Sequence, residues 1–233
     1  MPTSAPTASG TTGTRTAGTG TATWGRLALG TVASAVLFTV SWIVLSFFSD
    51  GYSVGGDRIE PYSNLTQLVS GLGMGETAPY MNAAFVLSGL LLAVGFLGLF
   101  RSIEGGRTIT RVLAAVGLGL APVGLLLIGL FDLDSPGPHF LGAALAFQLP
   151  VLSFVATGLF LRGVPTWRRL GNLLLSIAAP ITLILIVVFS TTFDQASTAA
   201  GEGIAGLTQR LWLSWVLAWY AALGWTAYRH AKP

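Results

Sequence analysis

The chain has 233 residues, of which 52% are hydrophobic and only 9% charged, against roughly 25% charged in an ordinary soluble domain. It contains no cysteine, which excludes disulfide frameworks, cysteine-ligated zinc, iron–sulfur clusters and thiol nucleophiles. The net charge of +3 does not point to nucleic acid, because Lys and Arg sit between apolar runs instead of clustering on a soluble face.

In chain order, Met1 to Thr23 is almost entirely Thr, Gly, Ala, Ser and Pro. Such a composition cannot bury enough apolar surface to offset its ordering entropy, so residues 1–23 are expected to form a disordered tail and residues 24–233 the membrane domain. The apolar run after the tail is longer than a signal-peptide core and has no small-x-small cleavage site near Phe47 to Ser49, so the first helix is expected to be retained.

A span needs about 20 mostly apolar residues to cross roughly 30 Å of hydrocarbon. Six stretches qualify: Leu27 to Phe48, Pro79 to Phe100, Val112 to Phe131, Phe140 to Leu161, Leu170 to Thr192 and Leu211 to Tyr228, none with Asp, Glu, Lys or Arg in its interior. In lipid each segment must satisfy its own backbone, so the fold class is all-α, a six-transmembrane-helix bundle. Small residues four apart, such as Gly30 and Ser34, Gly117 and Ala121, and Gly142 and Ala146, let helix backbones approach and argue for a compact bundle; the oligomeric state stays open.

The charges set the orientation. Arg15, Arg26, Arg101, Arg107, Arg111, Arg162, Arg168, Arg169, Arg229 and Lys232 fall on one side with Glu104, while Asp50, Asp57, Glu60, Glu76, Asp132, Asp134, Asp194 and Glu202 fall on the other with Arg58 and Arg210. Retention of Lys and Arg on the cytoplasmic side then places both termini inside, in a cell membrane. Trp24, Trp167, Trp225 and Tyr228 suit the inner boundary and Tyr80 and Trp212 the outer one. Trp212, Trp215 and Trp219 form a helical stripe that suits packing or the lining of a ligand cleft.

The longest connection, Asp50 to Ala78, carries a segment from Pro61 to Gly71, and Leu65, Leu68, Val69 and Leu72 recur at helical spacing through it and just beyond. A short helix on the membrane surface or an ordered loop both fit. Asn64-Leu65-Thr66 matches a glycosylation sequon, meaningful only in a eukaryotic secretory pathway.

The loop from Phe131 to His139 brings Asp132, Asp134 and His139 together at the bilayer edge, an arrangement that can serve acid–base chemistry or cap the next helix. A His-rich zinc site is excluded because His230 lies on the opposite side. A carboxylate site using Asp132, Asp134 or Asp194 is the remaining metal reading, but no cofactor or metal is expected. Arg210, a base on the acidic side, is expected to neutralise an outer carboxylate, with capture of an anionic headgroup or substrate as the functional alternative. Gln148 lies nine residues after His139, about 13 Å at helical rise, near the midplane. There an amide can bind a solute or make an interhelical hydrogen bond.

Ser70-Gly71-Leu72-Gly73, Met81 to Gly89, Phe131-Asp132 leading to His139, and Gly206-Leu207-Thr208-Gln209-Arg210 together resemble the domain of unknown function 998 family of membrane proteins. The similarity runs from about Leu27 to Tyr228. In that family an acidic residue commonly follows the serine of the Ser-x-Leu-Gly segment, where this chain has Gly71, and a second histidine is often found near the position of His139. The resemblance implies a six-helix membrane protein and supplies no reaction.

Three functions are then open. The first, which the reading favours, binds or moves a hydrophobic or amphipathic small molecule or lipid, with Arg210, Gln148, Asp57 and Asp194 as ligand-binding candidates. The second is a membrane-embedded hydrolase using Asp132, Asp134 and His139 at the outer leaflet. The third is a non-catalytic structural or interaction protein. The lipid bilayer is the expected partner in each, and nucleic acid in none.

Overall fold

The structure is a computed structural model that describes residues 17–232, with side chains from residue 22 onward. The expected tail lies partly outside the described residues; where they begin, Ala17–Ala28 is already helical (α1) and continues past a turn at Leu29 into Gly30–Leu45 (α2). Ala78–Ser102 (α3) and Thr108–Leu130 (α4) follow as single rods. Pro136–Ala143 (α5) joins Pro150–Arg162 (α6) through a π-helical turn, Ala144–Gln148. Arg168–Leu173 (α7) joins Ala179–Thr192 (α8) through a second, Leu174–Ala178. A short helix, Gln195–Ala199 (α9), precedes the last rod, Ala205–His230 (α10).

Among the described residues five helices are long and apolar enough to cross a membrane: Ala22–Leu45, Gly75–Ser102, Thr108–Leu130, Pro136–Arg162 and Pro165–Thr192. The α10 rod is 26 residues long but carries Gln209, Arg210 and Arg229. One face of it is buried, while Leu207, Leu211, Ala218 and Trp225 leave another exposed. Its buried residues run its whole length, from Ala205 through Trp212 and Tyr220 to Ala227, and it packs on α1, α2, α3 and α8. Around it the rods follow in chain order, α2 beside α3, α3 beside α4 and α4 beside α6. The core centres on Phe38, Phe96, Phe154 and Tyr220, the tyrosine ring meeting Phe96 at 5.2 Å and Phe154 at 5.8 Å, both edge-on.

Close approach of the rods depends on glycine. A Cβ on Gly124 in α4 would lie 2.5 Å from the Gly142 carbonyl oxygen and 2.5 Å from the Ala146 nitrogen, and one on Gly95 in α3 would lie 2.3 Å from the Thr31 nitrogen. Across the same α2–α3 seam Ser34 donates to the Ser88 carbonyl at 2.8 Å. The expected small-residue pairs are thus contacts between helices of one chain.

The two π turns explain the aromatic stripe. Pro150 has no N–H, so the Ala146 carbonyl loses its usual donor four residues on, and Leu149 N–H reaches back five residues to the Ala144 carbonyl at 2.8 Å. Tyr220 Oη donates to the Ala146 carbonyl at 3.2 Å, and Trp212 Nε1 to that of Phe147 at 3.1 Å. At the second turn Trp215 Nε1 reaches the Ala178 carbonyl at 3.4 Å and Thr182 Oγ1 donates to it at 2.7 Å. At Ala146 the tyrosine hydroxyl supplies the donor that Pro150 lacks, where no water is available. Trp219 instead packs partly buried against the core, edge-on to Trp215.

Adding one methyl group at Gly124 (Gly124→Ala) is expected to destabilise the bundle by about 1–3 kcal/mol through overpacking against backbone. The same change at Gly119, where a Cβ meets nothing within 4 Å, is expected to be neutral or slightly stabilising. Thermal unfolding of the detergent-purified variants distinguishes the two.

Candidate functional site

The connection between α2 and α3 folds as a cap over one end of the bundle. It begins with an antiparallel hairpin, Tyr52–Val54 (β1) against Asp57–Ile59 (β2), in register Tyr52 to Ile59, Ser53 to Arg58 and Val54 to Asp57. Gly55 and Gly56, at φ +59° and +93°, make the turn that demands positive φ at both central positions. This Gly-Gly signal stands in the sequence. Tyr52, Ile59 and Met74 pack under the hairpin as a small separate core.

Of the two readings of the segment from Pro61 to Gly71, a short helix or an ordered loop, the structure has the loop, a turn followed by a 3₁₀ segment, Val69–Gly73. The physical reason is competition for the backbone. Gln67 Oε1 accepts from the Ser63 N–H at 2.6 Å, Gln209 Oε1 from the Val69 N–H at 2.8 Å, and Tyr62 Oη donates to the Leu68 carbonyl at 3.0 Å. Side chains thus occupy groups that a helix would pair internally.

Arg210 holds this cap to the bundle. It is 5% exposed, at the start of α10, and its Nη1 donates to the carbonyls of Asn64 at 2.9 Å, Gln67 at 2.8 Å and Gly206 at 2.9 Å. Its Nη2 donates to Tyr62 Oη. The guanidinium lies over the rings of Trp42, 5.2 Å from the centroid, and Tyr62, at 5.8 Å. The expected pairing of Arg210 with an outer carboxylate is therefore corrected: carbonyl oxygens and ring faces surround it. The reason is geometric, since Gly206 one helical turn earlier leaves room for the Asn64–Gln67 turn to descend onto the arginine. A Cβ there would sit 2.3 Å from the Gln67 oxygen.

Other contacts clamp the same junction. Leu207 N–H donates to the Leu65 carbonyl at 3.0 Å, Gln67 Nε2 to the Thr198 carbonyl at 3.3 Å, and the Thr192 and Thr208 hydroxyls meet at 2.7 Å. Five buried polar atoms here have no partner among the described residues: Arg210 Nε, Trp42 Nε1, Thr66 Oγ1, Thr198 Oγ1 and Ser49 Oγ. The junction therefore holds an unneutralised cation and unused donors.

The other sequence candidates are not gathered at this centre. Asp57 lies at the hairpin turn and is exposed. Asp194 caps α9, accepting from the Ser197 N–H at 2.8 Å, and this bond together with the Ser197 hydroxyl holds its carboxyl below the usual range. Gln148 is exposed on the surface of the bundle, in the π turn between α5 and α6. His139 is buried, its Nδ1 2.8 Å from the Phe131 carbonyl, and because a carbonyl only accepts, Nδ1 carries the proton. Asp132 turns its carboxylate to the Asp134 N–H at 3.1 Å, and its own carbonyl accepts from Ser135 at 3.0 Å. This local turn starts α5. Among the described residues no three His, Asp or Glu side chains gather as metal ligands.

Sequence reasoning found Arg210 but missed Tyr62, Trp42, Gln67 and Gln209 around it. Only the Gly206–Arg210 spacing of four signalled a partner, by stacking the glycine carbonyl under the arginine.

The family model described as protein of unknown function (DUF998) matches residues 32–226, from α2 through nearly all of α10. The chain belongs to the DUF998 family. It is a multi-pass membrane protein of that family, and both the Arg210 junction and the Asp132–His139 turn fall within the matched region. No curated protein and no solved structure matches the chain.

Replacing Arg210 by Met strands the Asn64 and Gln67 carbonyls, and at about 1–2 kcal/mol for each buried acceptor the loss is expected to be about 3 kcal/mol. Limited proteolysis should then cut between residues 50 and 77, while Tyr62→Phe costs about 1 kcal/mol and leaves the cap resistant.

Burial pushes the Tyr52 and Tyr62 phenols from 10.0 up to about 12, and for Tyr62 the effect exceeds the opposing pull of Arg210. A raised folded value means that the protonated form is held by folding, so this stability is complete below pH 10 and is lost as pH rises towards 12. Ultraviolet titration of the native protein should lose late-ionising amplitude in Tyr52→Phe and in Tyr62→Phe, and after denaturation both tyrosines should ionise normally.

Proposed function

We propose that this DUF998 protein crosses the membrane six times, with both termini cytoplasmic and the cap on the outer face. Supporting the count, α10 has 26 residues, about 39 Å at helical rise, enough for the hydrocarbon layer. Its exposed face carries Leu207, Leu211, Ala218 and Trp225, apolar residues that suit lipid, while Arg210 is buried. Supporting the orientation, Trp167 and His230 rings meet at 4.7 Å, so the basic chain end and the Arg168–Arg169 turn share one end of the bundle. The acidic loops flank the Arg210 junction.

We further propose that the protein binds the anionic group of a hydrophobic or amphipathic small molecule or lipid at the Arg210 junction. The carrying observation is the enclosed guanidinium without a carboxylate, whose Nε is unused. Carbonyls of the cap stand where an anion would sit. Each is a weaker acceptor than a carboxylate or phosphate, so an anionic group can displace the Asn64–Gln67 turn from Nη1 and take Nε as well. Trp42 and Tyr62 supply apolar faces beside it.

Because the chain has no cysteine, single cysteines test the topology directly. Gly137→Cys and Glu202→Cys are expected to react with an impermeant maleimide from outside intact cells, and Glu104→Cys and Thr166→Cys only after permeabilisation. For the ligand, oleate is expected to raise the Tm of the wild-type protein and to leave that of Arg210→Lys unchanged, since lysine lacks the fork that meets a carboxylate. Equal shifts in both proteins would count against the Arg210 reading.

A further inference from the structure

At the opposite end from the cap, the chain reverses from α6 into α7 through Gly163, Val164 and a 3₁₀ turn, Pro165–Trp167. The turn is built and rigid. Val164 N–H donates to the Leu161 carbonyl at 3.0 Å and Trp167 N–H to that of Val164 at 2.9 Å. Trp167 is buried against His230. The two rods are pressed together by glycine, a Cβ on Gly158 lying 2.9 Å from the Gly171 oxygen and one on Gly171 lying 2.8 Å from the Arg162 nitrogen.

In the corner of this reversal is an open cavity of about 420 Å³, lined by Leu159, Arg162, Gly163, Arg168 and Asn172. Four arginines elsewhere are engaged by the protein, while Arg26, Arg107, Arg169 and Arg229 have no side-chain partner among the described residues; what sets Arg162 and Arg168 apart is that they share one cavity. Arg58 pairs with Glu60, Arg111 donates to the Phe100 carbonyl, Arg101 lies over Trp24, and Arg210 is enclosed by the cap. Arg162 and Arg168 make no hydrogen bond, ion pair or ring contact among the described residues. No carboxylate lines the cavity, and Asn172 adds an amide donor.

The cavity also has an apolar approach. Leu152, Val155 and Leu159 follow one another at i, i+3 and i+7 along α6 and are 66%, 36% and 49% exposed. They form a continuous stripe from the mid-span to the cavity mouth. A ligand with an acyl chain can lie on this stripe while its head enters the corner.

We propose that this corner binds a phosphate group between Arg162 and Arg168, with Asn172 as a third donor, and that an anionic phospholipid of the adjoining leaflet is its source. Two guanidinium forks without an acid match a phosphodiester, which offers several acceptor oxygens and a negative charge. The inference rests on the chain being a membrane protein and is independent of the Arg210 junction, which lies at the other end of the bundle.

The full-length protein in detergent is incubated with dioleoyl phosphatidylglycerol or dioleoyl phosphatidylcholine, and lipid retention is read by native mass spectrometry. The double variant Arg162→Gln/Arg168→Gln is compared with Arg107→Gln/Arg169→Gln, which removes the same charge outside the cavity. Phosphatidylglycerol is expected to be retained over phosphatidylcholine by the wild type. That preference should fall on the order of tenfold in the cavity variant and by less than about twofold in the control, as loss of two basic contacts predicts. Equal losses in both variants would reduce the effect to diffuse charge and overturn the site, as would no preference in the wild type together with no response to phosphate.

Inorganic phosphate alone is the second arm. If it raises the Tm of the wild type but not of the cavity variant while the lipid is not retained, the anion site stands with soluble phosphate as its source. Should the double variant fail to fold, Arg168→Gln, at an exposed side chain, carries the same comparison. Arg210 is intact throughout, so failure here leaves the capped-end reading untouched, and the reverse holds equally.

Discussion

A backbone carbonyl inside hydrocarbon has no water to turn to, and leaving it without a donor costs several kcal/mol. Much of this structure follows from that requirement. Two rods carry π turns, Ala144–Gln148 and Leu174–Ala178, and in the first Pro150 denies the Ala146 carbonyl its usual donor. Tyr220, Trp212 and Trp215 on α10 meet the turns with O–H and N–H donors. The buried face of α10 is thereby turned to these irregular rods, while its exposed face stays apolar.

The constraint recurs at Arg210 with the roles reversed. There the carbonyls belong to a loop, the Asn64–Gln67 turn, and the donor is a charged side chain buried at the start of α10. Burying a cation without a counter-ion is unfavourable, and carbonyl dipoles with aromatic faces offset that cost only in part. The cap is thus held by carbonyl acceptors weaker than a carboxylate or phosphate, which is the basis of the recognition proposed at this clamp. At the far end, Arg162 and Arg168 have no such enclosure and face an open corner. One end therefore holds its cation inside the protein, and the other presents two to whatever lies beside the bundle.

In the Asp132–His139 loop the polar groups likewise find local partners. His139 spends Nδ1 on the Phe131 carbonyl, and Asp132 turns its carboxylate to the Asp134 amide. The groups are close in sequence because they build the turn that starts α5. Proximity of an acid and an imidazole along a chain says little until the directions of their lone pairs are known.

Amino-acid pattern alone determined the apolar rods, their approximate ends and the family, because length and hydropathy are local properties and lipid admits essentially one solution, the helix, for such runs. The close-packed glycines were legible for a related reason: a spacing of four marks one helix face whatever it touches. What only the tertiary structure decided was the cap and the direction of every polar side chain in it. Gln67 and Gln209 find partners 131 and 140 positions away, and Arg210 reaches Asn64 across 146, distances over which no periodicity carries information. The arginine was visible as a base on the acidic side, but charge balance suggested a carboxylate where packing supplied carbonyls. Charge can be counted along a chain; the acceptor that meets it is set by which turn descends onto it.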